Sequence, residues 1–326
     1  MAASISEDDL IARFFAPLAA PEGLGLKDDV ALLAGGPGDL VLTTDALIAG
    51  VHFFPDDPPD AIARKALRVN LSDLAAKGAD PVGFLLALAL PGDWTENWLR
   101  AFAAGLADDA TAYHCPLFGG DTDRTPGLLS VTITAIGRIE GPMPRRGGAR
   151  PGDLLYVSGA IGDAALGLAL RRGSPALESL DAASRRFLLD RYLLPQPRCA
   201  LAPAMRQFAH GGMDVSDGFV GDLTKMLRVS GVSAQVDLRL LPISDAARVA
   251  LSLDDALLET VATGGDDYEI LAAIGAPSAT AFERAAGAAG IKVSRVGEAI
   301  EGHGPPKFLG LDGIPVTFAR GSFSHF

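Results

Sequence analysis

Cysteine is scarce. Cys115 and Cys199 are the two in 326 residues, too few for a disulfide framework, so a reducing cytoplasm is the expected compartment. Long apolar runs are missing too: the longest, Val82 to Leu90, falls far short of the ~20 residues that a membrane helix needs. The amino terminus, MAASISEDDLIARFF, places acids where a signal peptide needs a basic start. Basic residues are outnumbered, 28 against 40 acidic, and the net charge of −12 argues against a nucleic-acid surface. The common catalytic signatures are absent: the chain has no G-x-x-x-x-G-K-[ST], no protein-kinase catalytic loop, no G-x-G-x-x-G after a strand and no G-x-S-x-G elbow. No Cys/His cluster has zinc spacing. What is present is a soluble globular composition, 48% hydrophobic and 21% charged, long enough for one large or two medium domains.

Hydrophobic periodicity predicts alternating helices and strands, hence an α/β or α+β protein. The first half reads as a helix from Ser6 or Glu7 to Leu18, a strand at 39–47 and a long helix from Pro59 to Gly78. The apolar strand PVGFLLALALP, a helix over 94–114 and the alternating strand 128–139 follow. Between Gly141 and Gly152 the run GPMPRRGGARPG has no periodicity and reads as a boundary or functional loop, dividing the chain into domains 1–140 and 141–326. Beyond it the pattern predicts a strand at DLLYVSG, helices at 161–171, 181–193, 198–208 and 218–230, and a strand at 234–238. A strand at YEILAAI, a helix at 278–289 and strands after Ile291 complete the reading.

Acids sit at the ends of these elements. Asp28 and Asp29 close GLGLKDD, Thr43, Thr44 and Asp45 end a strand, and Asp121 follows Gly119-Gly120 at another strand-to-loop step. MDVSDG, residues 213–218, packs two carboxylates and a hydroxyl into a strand end before an apolar helix. Asp217 there is a candidate N-cap, while Asp214 is costly unless paired or metal-bound. Asp73 lies inside the long helix on the face of Val69 and Asn70, where Lys77 is a candidate ion-pair partner. Carboxylates interleaved with hydroxyls suit a hard cation such as Mg²⁺, which completes its octahedron with water and phosphate oxygens.

Eight ordered segments, KDDVALL, TTDALIAGVHF, KALRVNLSDLAAKGADP, GGDTDR, RRGGARPGD, MDVSDGFVGDL, GGDDYEIL and GSFSHF, resemble those of thiamine-monophosphate kinases, members of the aminoimidazole-ribonucleotide-synthetase-like superfamily. The resemblance runs from about residue 5 to the carboxyl terminus. It implies a two-domain α/β (α+β) fold whose N-terminal strands join those of a second subunit in a dimeric β-barrel, and phosphorylation of thiamine monophosphate by ATP. It further implies magnesium ligands at Asp29, Thr43, Thr44, Asp45, Asp73, Asp121, Asp214 and Asp217. ATP contacts are implied at Tyr113, Gly120, Asp121, Arg146 and Ser216, and thiamine contacts at His52, Asp266 and Phe323. Asp266 stands where the family pattern usually has Glu, one methylene longer. His52 otherwise reads as a core histidine within GVHFF, and Phe323 as a residue of a chain end.

The chemistry agrees with that resemblance. Phosphoryl transfer between two phosphates asks for positioning and charge neutralisation, not for a general base, so the missing Ser/His/Asp constellation is expected. Two other readings stay open at this point: another ATP-dependent enzyme of the superfamily, and a non-catalytic nucleotide or metal binder.

Overall fold

The computed structural model describes residues 7–26, 33, 35–318 and 321–322. Asp29 and Phe323 lie outside them. The chain forms two units, Met1–Leu74 with Asp80–Glu140, and Ala75–Ala79 with Gly141–Phe326. Ala75–Ala79 joins the second unit for a physical reason that a linear boundary does not express. Ala75 and Ala76 enter an apolar cluster with Met205, Ile270 and Phe282, the Lys77 ammonium donates to the Gly212 carbonyl (2.6 Å), and Arg206 donates to that of Gly78 (2.8 Å).

The N-terminal unit begins with α1 (Glu7–Leu10), which passes into a wider turn at Ile11–Phe15 and a 3₁₀ turn at Ala16–Leu18. A single helix to Leu18 is therefore not formed: Pro17 has no N–H to return to the Arg13 carbonyl. The sheet comprises β1 (Asp39–Ile48), β2 (Asp80–Leu90), β3 (Leu117–Arg124) and β4 (Ser130–Ile139), in the order β1-β4-β2-β3. β4 runs antiparallel to β1 and β2, and β3 parallel to β2. Helices α2 (Pro59–Ala76) and α3 (Glu96–Ala112) are tied by the buried pair Arg68–Asp109, bonded at 2.6 and 2.9 Å. Within one chain this sheet is open, and the barrel expected from the resemblance is not closed by these four strands.

The C-terminal unit is built on seven strands in the order β11-β10-β7-β9-β5-β8-β6. They are β5 (Asp153–Ser158), β6 (Ala209–Val215), β7 (Ser233–Asp237), β8 (Glu269–Gly275), β9 (Val293–Ile300), β10 (Lys307–Leu309) and β11 (Pro315–Val316). β8 is buried on both faces, so its residues divide between two cores. Leu271 and Ala273 join Leu155, Val157 and Phe219, whereas Ile270, Ala272 and Ile274 join Tyr156 and Phe282. The helices are α4 (Asp163–Arg171), α5 (Ala182–Leu193), α6 (Ala202–Phe208), α7 (Phe219–Ser230), α8 (Asp245–Leu253), α9 (Leu257–Thr263) and α10 (Ala279–Ala288). α8 and α9 have no counterpart in the periodicity reading. Among the described residues no helix is long and apolar enough to cross a membrane.

Candidate functional site

In the N-terminal unit the alternation of β1 sorts its polar residues by face. Thr43, Asp45 and Leu47 are shielded in step, while Leu42, Thr44 and Ala46 are exposed. On the shielded face Thr43 donates its hydroxyl to Asp73 of α2. Burial first, and the charge of Asp73 second, lift the Asp45 carboxyl to a pKa of about 6. Two carboxylates that repel each other beside a hydroxyl are a donor set that fits a divalent cation. Thr44 points the other way, where its hydroxyl meets that of Thr134 across the pairing with β4 (3.0 Å). The side chains of the Thr43-Thr44-Asp45 trio thus do not act on one face.

Asp121 is not at a strand end. It lies within β3, opposite Ala87 of β2, and is exposed. Gly120 precedes it because β3 passes too close to β2 for a side chain: a Cβ there would fall 1.8 Å from the Leu86 carbonyl oxygen. Tyr113 closes α3, with the Arg68 guanidinium 5.7 Å from its ring centroid. His52 lies in the turn after β1. Its Nδ1 accepts the Ile48 N–H (3.0 Å), which puts the proton of a neutral ring on Nε2, and its carbonyl accepts from buried Lys65 (3.1 Å).

In the C-terminal unit β6 delivers Asp214, only 6% exposed, and then turns through Ser216-Asp217-Gly218 into α7. Asp217 does not cap that helix. One oxygen of Asp222, in the first turn, accepts the N–H groups of Ser216 (3.0 Å), Asp217 (2.8 Å) and Gly218 (3.1 Å). Lys225 bonds the carboxylates of both Asp217 (2.5 Å) and Asp222 (3.0 Å). Asp222 and Lys225 were missed from the sequence, although an acid four residues past Gly218 is a usable signal for a carboxylate folding back onto a helix start.

A second loop is zipped to this one. Asp266 N–H donates to the Ser216 carbonyl (2.9 Å) and Tyr268 N–H to that of Val215 (2.8 Å). Asp266 and Tyr268 both hold left-handed backbone, φ 74° and 51°, a conformation that non-glycine residues adopt at a cost. Gly265 is required there, since a Cβ would lie 2.3 Å from the Ser216 carbonyl oxygen. Arg146 is exposed on a 3₁₀ turn, Arg146–Gly148, pressed so close to β6 that a Cβ on Gly148 would lie 2.0 Å from the His210 carbonyl oxygen. The structure therefore brings Ser216, Asp217 and Asp266 together in one unit, and Thr43, Asp45 and Asp73 in the other. Among the described residues no group of three or more His, Cys, Asp and Glu stands assembled as a metal cage.

The family model described as AIR synthase related protein, N-terminal domain, matches residues 27–139, and the corresponding C-terminal domain matches 150–305. The chain is 45% identical over 331 residues to a thiamine-monophosphate kinase of Caulobacter vibrioides, covering 99% of this chain and 92% of that one. A crystal structure of thiamine-monophosphate kinase from Stenotrophomonas maltophilia superposes with a TM-score of 0.80 at 38% identity, over 89% of this chain and 91% of the other. That of AaThiL complexed with AMPPCP and TMP does so with a TM-score of 0.78 at 28% identity, over 92% and 91%. Sequence, fold and the order of the two domains agree, and the chain belongs to the AIR synthase related family, among its thiamine-monophosphate kinases.

Proposed function

We propose that the protein transfers the γ-phosphoryl group of ATP to thiamine monophosphate, giving ADP and thiamine diphosphate. Similarity along 99% of the chain to a thiamine-monophosphate kinase carries this reading, and a structural relative complexed with AMPPCP and TMP supports it. Asp29, Thr43, Thr44, Asp45, Asp73, Asp121, Asp214 and Asp217 are the residues that would hold Mg²⁺, Thr44 through its backbone carbonyl in keeping with its outward side chain. Mg²⁺ supplies neutralisation of the charge on two phosphates that must meet. ATP would be held by Tyr113, Gly120, Asp121, Arg146 and Ser216, with Arg146 offering a planar fork of donors to phosphate. Thiamine would be met by His52, whose Nε2–H is a donor, by Asp266 and by Phe323, whose ring suits a cationic thiazolium.

Incubation with ATP, Mg²⁺ and a panel of phosphorylated and free acceptors, with products identified by mass, tests the activity. Thiamine diphosphate should form only with ATP and Mg²⁺ both present, and EDTA should abolish it. Phosphorylation of another acceptor with thiamine monophosphate untouched would overturn the assignment.

We further propose a homodimer, closed through the open face of the N-terminal sheet. Leu42 (64% exposed), Thr44, Thr134 and Leu85 (37%) share that face by the register of β1, β4 and β2, and Leu40 (45%) and Ile48 (38%) extend it along β1. An apolar sheet face of this kind is covered most simply by its own copy, completing a barrel across the two-fold axis. Light scattering at micromolar protein should give twice the chain mass, and Leu42→Glu should shift it towards one. A monomeric parent protein would refute the arrangement.

A further inference from the structure

The start of α4, the C-terminal half of α5 and the start of α8 enclose a cavity of about 380 Å³ in the C-terminal unit. None of the described residues proposed above for nucleotide, metal or thiamine lines it. Its floor holds three buried carboxyl groups. Glu269 is consumed by Arg198 (Nε at 2.7 Å) and by the Ser158 hydroxyl (2.5 Å). Asp267 is consumed by the N–H groups of Gly162 (2.7 Å) and Ala164 (3.2 Å) at the start of α4. Asp163 differs. It is 4% exposed, its Oδ1 accepts the Ser244 hydroxyl (2.5 Å), and its Oδ2 has no hydrogen-bond partner among the described residues.

Arg191 and Lys292 line the same cavity, and the Arg191 guanidinium also lies 5.3 Å from the Phe187 ring centroid. Arg191 bonds Asp190 through one terminal nitrogen (2.7 Å), yet its Nε is buried without a partner among the described residues. Arg191 and Asp163 influence each other through space without a bond between them. Lys292 stands exposed on the lining. Asp245 and Arg248 face one another on the outer wall at 3.4 Å and offset each other's charge. Asp163, Arg191 and Lys292 therefore line one cavity, and the Arg191 Nε is the buried polar atom there that lacks a partner among the described residues. Unsatisfied buried polar groups are rare enough to need a cause.

We propose that this cavity binds inorganic phosphate, which keeps a P–OH at neutral pH. The P–OH of the ligand donates to Asp163 Oδ2, and its other oxygens accept from Arg191 and Lys292. Burial is the largest influence on Asp163 and lifts its pKa to about 6, with the Ser244 bond and Arg191 pulling it down and Glu269 pushing it up. At pH 7.5 it is still a carboxylate. A bare dianion is then repelled, whereas an anion with its own proton to give satisfies both walls.

Sulfate matches phosphate in size but carries no such proton, so calorimetric titration at pH 7.5 separates them. Inorganic phosphate should bind, and sulfate should bind at least about tenfold more weakly. Arg191→Gln should weaken phosphate binding by about tenfold or more, with melting temperature unchanged. Asp163→Asn should remove the preference for phosphate, because its carboxamide can donate to sulfate. Glycerol 3-phosphate in a parallel titration is almost entirely a dianion without a P–OH at pH 7.5, since a monoester's second pKa is about 6, and should bind more weakly than inorganic phosphate; equal or tighter binding overturns the proposal. Equal affinity of the parent protein for phosphate and sulfate overturns the proposal. So does phosphate binding untouched by Arg191→Gln, or no phosphate binding up to about 50 mM. Should Asp163→Asn fail to fold, the parent and Arg191→Gln titrations still decide.

Discussion

Replacing Asp45 with asparagine is expected to lower kcat by at least about 100-fold, about 2.7 kcal/mol of barrier, while the metal-free fold stays as stable as the parent or becomes more so. Both halves follow from one position. Asp45 is shielded on β1 beside Asp73, and burial together with that neighbouring charge puts its pKa at about 6 instead of 3.8. Such a carboxylate is costly in the empty protein and rewarding only when a cation arrives. A carboxyl whose native pKa exceeds its unfolded one binds protons better when folded, so its contribution favours folding at low pH and is lost as pH rises from 3.8 through about 6. Metal-free parent protein should lose stability across that window, and Asp45→Asn should lose less. Thermal melts with EDTA from pH 4 to pH 7, at about half-unit steps, measure the difference. Added Mg²⁺ with nucleotide should stabilise the parent more than the variant. Near-normal turnover of Asp45→Asn would reduce Asp45 to a shielded surface acid.

How far the sequence could be read depended on whether a residue's role was local. α7 was legible because Phe219, Leu223, Met226 and Leu227 recur at helical spacing, and all four are buried. The two faces of β1 were legible in principle, since adjacent residues on a strand point apart, and a trio of neighbours could not all offer side chains to one ion. β3 was not legible. LFGGDTDR has two glycines and no apolar alternation, and it is a strand only because β2 lies alongside, at a distance that Gly120 alone permits. α8 was missed although Ser244 accepts the Ala247 N–H as an N-cap should, because its cue is a single serine after a proline-containing turn. The roles of MDVSDG were half visible. Its acids pointed to a site, but what holds the loop lies outside it, in the first turn of the helix that follows.

Asp222→Ala should cost both fold and function, and the pattern of loss separates the two. Asp222 is 1% exposed, and one of its oxygens carries three consecutive N–H groups while the other meets Lys225. An unsatisfied buried donor costs about 1–3 kcal/mol, so alanine cannot leave the turn in place. Ser216, Asp217 and Gly218 will move to find water or each other, and melting should fall by about 5 °C. Because Ser216 and Asp217 are proposed to meet ATP and its cation, a displacement of about 1 Å should lower kcat/KM for ATP by about 100-fold. Asp222→Asn keeps one acceptor oxygen for the amides but loses the ion pair with Lys225, and should stay within about tenfold of the parent. Lys225→Met offers the complementary control: it leaves the three amides bonded, frees Asp217 from its ammonium, and should change KM for Mg²⁺ more than the melting temperature. A purely structural Asp222 would lower melting and active fraction while the folded enzyme kept its parent KM for ATP. That result, or near-parent kinetics in Asp222→Ala, would show that the turn places nothing the reaction needs.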